Sequence, residues 1–124
     1  MAFKIKPFYP LNTTPIYRTL DTDGVLGVAN KNGTIRIHKD VTDPAQLQEV
    51  IDHEMVHRDQ MNPESNDTGR FAYDNYNMYY KPKGSKKTIV TKRSNKVDGA
   101  PYLGHEKEAN DKKIQQKIKR KYNG

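Results

Sequence analysis

Asp43-Pro44-Ala45-Gln46 opens the most strongly specified element of this chain, a helix that runs through the string His53-Glu54-Met55-Val56-His57. An aspartate cap, a proline in the first helical position and a glutamine three residues after the cap form a capping-box pattern, which satisfies amide groups that a helix start leaves unpaired. Leu47, Val50, Ile51 and Met55 then recur at three- and four-residue spacing, so one stripe of the helix must face a core. Met61-Asn62-Pro63 ends it, because the residue before a proline is pushed out of the α region. The expected helix is about 18 residues long, with both histidines at the edge of the apolar stripe.

That helix ties the fold to a chemistry. Two imidazoles four residues apart lie about one turn apart on one face, where both can bind a single divalent ion. Glu54 points to the same side, close enough to take a proton from water at the metal. His53-Glu54-x-x-His57 therefore has the spacing of a zinc-dependent peptidase, with His53 and His57 as ligands and Glu54 as general base.

Catalytic Zn²⁺ usually has three protein ligands and keeps a fourth position open. The chain has no cysteine, and its other histidines are His38, read as a polar strand residue, and His105. Gly104-His105-Glu106-Lys107-Glu108-Ala109-Asn110-Asp111 begins a second helical stretch, expected to reach about Lys121, with two carboxylates and one imidazole in a single turn. Glu106, Glu108 and His105 all stand open as the third ligand on these residues alone.

H-E-x-x-H followed downstream by E-x-x-A-[D/N] resembles the gluzincin peptidases, the thermolysin-like group, and especially their smallest single-domain members. The resemblance implies Glu106 as the third ligand, with Glu108 as the alternative in a shifted register. It implies Asn110 as the partner that orients His53 and Ala109 as the small residue that lets two helices approach. It covers residues 53–57 and 106–110, and Asn110 stands where aspartate is commoner. The fold it implies is α+β, a small zincin-like single domain over residues 1–124. A short sheet or hairpin precedes the motif helix, and a C-terminal helix carries the third ligand. The sheet's edge strand would bind extended peptide by β-augmentation. Residues 58 to 63 lack the extended H-E-x-x-H-x-x-G-x-x-H pattern, which excludes the metzincin subgroup. A peptidase also needs an electrophilic donor near the developing oxyanion, and Tyr102 and His105 are the nearest candidates in sequence.

The remaining chain reads as follows. Residues 1–17, with Pro7, Pro10 and Pro15, are expected to form an extended arm, a surface for an assembly partner. Gly24 to Ala29 and Thr34 to His38 read as two strands joined by a four-residue Asn-Gly hairpin, with Ile35 and Ile37 on one side. Residues 62–104 read as an irregular insertion whose Tyr79-Tyr80-Lys81 and Thr88 to Thr91 form a second hairpin, a flap over the site rich in tyrosine.

Composition bounds the partners. At 33% apolar and 30% charged residues the core must be thin, so a metal bound only by the native state would also support folding. The net charge of +7 is uneven, concentrated at Lys81, Lys83, Lys86, Lys87, Lys92 and Arg93 and again from Lys107 to Lys121, which favours nonspecific polyanion contact. No leader-like apolar segment or membrane span is visible, so a cytoplasmic product, or one carried in a virion, is expected. Beside hydrolysis of a peptide or protein, two other functions fit. One is a metal-stabilised accessory protein of a larger assembly such as a virus particle; the other is a protease acting on nucleic-acid-bound proteins.

Overall fold

Three strands, β1 (Ile16–Leu20), β2 (Gly27–Ala29) and β3 (Ile35–His38), form the first sheet of the computed structural model, which describes residues 14–22, 24–93 and 103–123. Their order is β1-β3-β2, with β1 parallel and β2 antiparallel to the central strand. Gly33 makes the β2–β3 turn at φ 85°, a conformation that costs residues with a Cβ about 1–2 kcal/mol. Ile35 and Ile37 are fully buried on one face of β3, as the alternation predicts. β1 corrects the reading of residues 1–17 as an arm: Ile16 and Tyr17 belong to a strand hydrogen-bonded to β3, while residues 1–13 lie outside the described part.

α1 (Pro44–Gln60) starts where the capping pattern places it, with Asp43 Oδ2 accepting from Gln46 N at 2.9 Å. Val50, Met55 and Val56 are buried in one cluster with Ile35 and Ile37, and Leu47 and Ile51 pack against its margin. A second sheet of β4 (Arg70–Tyr73), β5 (Asn77–Lys81) and β6 (Ile89–Lys92) follows, antiparallel throughout. The β5–β6 hairpin is the one expected; β4 converts the supposedly irregular ground before it into a three-stranded sheet. Phe71 and Tyr73 of β4 lie opposite Tyr80 and Met78 of β5 and meet them on one face.

The last helical stretch is not continuous. α2 (Gly104–Ala109) and α3 (Lys112–Asn123) are separated at Asn110 and Asp111, because Asp111 Oδ1 accepts from Lys113 N at 2.9 Å and starts a new helix. Ile118 and Tyr122 anchor α3 in the core beside fully buried Ala109 of α2. The lysines of α3 are exposed except half-buried Lys121, and two of them are ion-paired: Lys117 with Asp67 at 3.3 Å and Lys121 with Asp59 at 2.7 Å. Among the described residues no helix is long and apolar enough to cross a membrane.

Candidate metal centre

α1 presents His53, Glu54 and His57 on adjoining faces, and α2 packs closely on it through Ala109, which is fully buried. That crossing brings Glu106 onto the two histidines. Glu106 Oε1 lies 2.9 Å from His53 Nε2 and 3.0 Å from His57 Nε2, and the two Nε2 atoms are 3.1 Å apart.

The other ring nitrogens decide what this triangle is. His53 Nδ1 stands 2.9 Å from Asn110 Oδ1, and His57 Nδ1 stands 2.8 Å from Gln60 Oε1. An amide oxygen only accepts, so each Nδ1 carries a hydrogen and each ring turns its Nε2 inward, where a neutral imidazole offers a lone pair. Two lone pairs and a carboxylate oxygen then meet at hydrogen-bond distance with no hydrogen between them. Such a point demands a cation. Burial works against a charged His57, but the hydrogen bond and charge of Glu106 outweigh it and raise the imidazole above its ordinary pKa. Burial likewise opposes ionised Glu106, and the close contact with the imidazoles of His53 and His57 outweighs it and brings the carboxyl well below its usual range.

A metal ion fits the same point. The ligand atoms of His53, His57 and Glu106 all lie within 4.8 Å of one another, and these residues could hold one ion. A tetrahedral zinc with bonds of about 2.0–2.2 Å keeps its ligand atoms roughly 3.3–3.5 Å apart, so the triangle needs to open only slightly.

Glu54 is 8% exposed beside this triangle. Burial pushes its carboxyl up, against the charges of His57 and His53 and a hydrogen bond from the Ala29 backbone, which hold it partly down. A cleft of about 760 Å³ opens above, with Gly24 to Ala29 forming one wall and Phe71, Tyr73 and Met78 the other. Gly27 lets β2 approach α1: a Cβ there would stand 2.7 Å from Val50 Cγ1 and 3.0 Å from Glu54 Cγ. Gly27→Ala is accordingly expected to cost about 1–3 kcal/mol in urea unfolding, as overpacked sites do; a change under about 0.5 kcal/mol would contradict this packing.

The other expected site residues fall in different places. Glu108 stands outside this cluster: its carboxylate accepts from Gln60 Nε2 at 2.9 Å, Gly69 N at 3.0 Å and Tyr80 OH at 3.2 Å. His105 is 4% exposed, stacked on Phe71 at 4.1 Å, with Nε2 3.5 Å from Glu106 Oε2. It backs the cleft wall behind the ligand. Tyr102 lies outside the described residues. Reading the sequence missed Gln60, whose signal was its place three residues after His57 on the same helical face, and Gly27 and Met78, which carried none.

Comparison with family models, with curated proteins and with solved structures finds no match. The chemistry of the site follows from its own atoms. Two imidazoles and one carboxylate form a donor set suited to zinc, and a buried carboxylate beside them suits proton transfer.

Proposed function

We propose that this protein is a zinc-dependent metallopeptidase of gluzincin type in a zincin-like fold. The observation that carries the reading is the triangle of His53 Nε2, His57 Nε2 and Glu106 Oε1, three acceptors turned toward one point by partners at their far sides. When bound, zinc supplies Lewis acidity that polarises a carbonyl and makes water a nucleophile near neutral pH. Glu54 takes the proton from the attacking water and passes it to the departing amine, and its burial keeps that proton from exchanging freely with solvent. The edge of β2 that pairs with no other described strand lines the cleft and, beside the Ala29 contact with Glu54, pairs with the backbone of an extended peptide and lays a carbonyl over the triangle. Phe71, Tyr73 and Met78 form an apolar surface for side chains of the substrate.

The test is elemental analysis joined to cleavage of a mixed peptide library. One zinc per chain, cleavage lost on chelation and restored by Zn²⁺ is the expected result. Protein refolded in Zn²⁺ that carries no metal would refute the reading.

A further inference from the structure

The motif supplies an orienting partner for His53, through Asn110, and none for His57. We propose that Gln60 and Glu108 together position His57 for the metal, Gln60 by direct contact and Glu108 through Gln60. This rests on the reading of the triangle as a zinc site.

The hydrogen bonds leave the device a single arrangement. Gln60 is 1% exposed, and its amide touches three groups: His57 Nδ1 at 2.8 Å, the His105 carbonyl at 3.0 Å and Glu108 Oε1 at 2.9 Å. The last two only accept, so both must face the Gln60 NH₂. Rotating the amide by a half turn would set its oxygen against a carbonyl and a carboxylate, two buried repulsive contacts in place of two hydrogen bonds. Gln60 Oε1 must therefore face His57, His57 must carry its hydrogen on Nδ1, and the Nε2 lone pair must point at Glu106 and His53. Glu108 is fixed in turn. Gly69 N–H and Tyr80 O–H donate to it, and burial followed by the nearby Glu108 charge raises the tyrosine pKa, so the phenol stays a donor. Gly69 and Gly104 give the Tyr80 ring its seat, since a Cβ on either would stand 2.6–2.7 Å from that ring. The orientation of one zinc ligand is thus set by β5, the loop before β4, and α2 at once. Metal-bound histidines generally donate their second N–H to such a partner, and loss of the partner weakens metal binding.

The experiment is a zinc competition titration against a chromophoric chelator, with the metal-free melting temperature as the control for folding and the His57 Nδ1–H proton followed by NMR. Gln60→Met keeps the volume and removes the acceptor. It is expected to weaken zinc about 10–100-fold and to abolish the protected Nδ1–H signal. Glu108→Met weakens zinc in the wild-type background and adds nothing to Gln60→Met, whereas Glu108→Gln, which still offers an acceptor, retains wild-type affinity. A folded Gln60→Met protein with wild-type affinity and an intact signal overturns the proposal. Should Gln60→Met fail to fold, Glu108→Met against Glu108→Gln decides: loss in the first alone supports it, and equal affinities overturn it. Wild-type protein that binds no zinc overturns the metal reading itself; zinc held equally by every folded variant overturns only the role of Gln60 and Glu108.

Discussion

Glu54→Gln is expected to lower kcat for peptide hydrolysis by about 10²–10⁴-fold, the usual contribution of a positioned general base, while zinc content stays at the wild-type level. The substitution keeps the size of the side chain and an oxygen for the Ala29 N–H, but an amide cannot take a proton from water. Glu54 is not among the residues that could hold the metal, His53, His57 and Glu106, so nothing in that set changes. Removing the carboxylate also deletes a charge whose buried form is disfavoured, so the metal-free fold should lose little stability. Steady-state kinetics with a fluorogenic peptide, alongside zinc analysis of the same preparations, reads both quantities. A variant within twofold of wild type in kcat would remove Glu54 from the mechanism; a variant that loses zinc and activity together would make it a ligand or a structural residue instead.

The second large effect belongs to stability. Asp59 is fully buried in the last turn of α1, and all its oxygens are engaged: Oδ2 by Ser65 Oγ at 2.5 Å and Thr68 Oγ1 at 2.7 Å, Oδ1 by Lys121 Nζ and Tyr122 OH, both at 2.7 Å. One carboxylate thus fastens the loop after α1 and the end of α3 to the helix that carries the metal ligands. Asp59→Ala takes the acceptor from the hydroxyls of Ser65, Thr68 and Tyr122, while Lys121 keeps Asp67 at 2.9 Å, and at about 1–3 kcal/mol for each buried group that loses its partner it is expected to cost about 3–5 kcal/mol, a large part of the 5–15 kcal/mol by which domains are typically stable. The pH dependence has a definite sign. Burial opposes the ionised form, but the hydrogen bonds from Lys121, Ser65, Tyr122 and Thr68 outweigh it and hold the carboxyl below its ordinary range. The stabilisation is therefore complete above the unfolded pKa of about 3.9 and is lost as pH falls through the lower folded value. Urea unfolding at pH 7 and pH 3 should show a smaller gap between wild type and Asp59→Ala at the lower pH. A gap under about 1 kcal/mol at pH 7 would mean that the network does not hold the fold.

Short-range patterns were legible in proportion to how local their causes are. The α1 cap, the β2–β3 and β5–β6 hairpins and the burial of Ile35 and Ile37 depend on neighbours a few residues away, and each lies where those neighbours put it. β1 and β4 were not legible. Four of the five residues of β1 are exposed and its pairing with β3 is parallel, so no hairpin turn announces it. Phe71-Ala72-Tyr73 is too short a run for the sequence to mark a strand, and pairing with β5 makes it one. The break between α2 and α3 turned on whether Asp111 would cap a helix or continue one, two local options that tertiary packing separates.

The site divides along the same line. Its first half was settled by sequence, because a spacing of four on a helix places His53 and His57 on one face wherever that helix packs. The choice between Glu106 and Glu108 was not, since both acids occupy the first turns of one short helix. Residues two positions apart on a helix point about 200° apart, so the packing of α2 had to turn one carboxylate onto the two histidines and the other off them. Ala109 against α1 set that rotation, and Gln60, Gly69 and Tyr80 hold Glu108 off the histidines. The histidine pair and its neighbouring base are thus properties of local spacing, while the third ligand and the partners that aim both histidines exist only once separate elements are packed together.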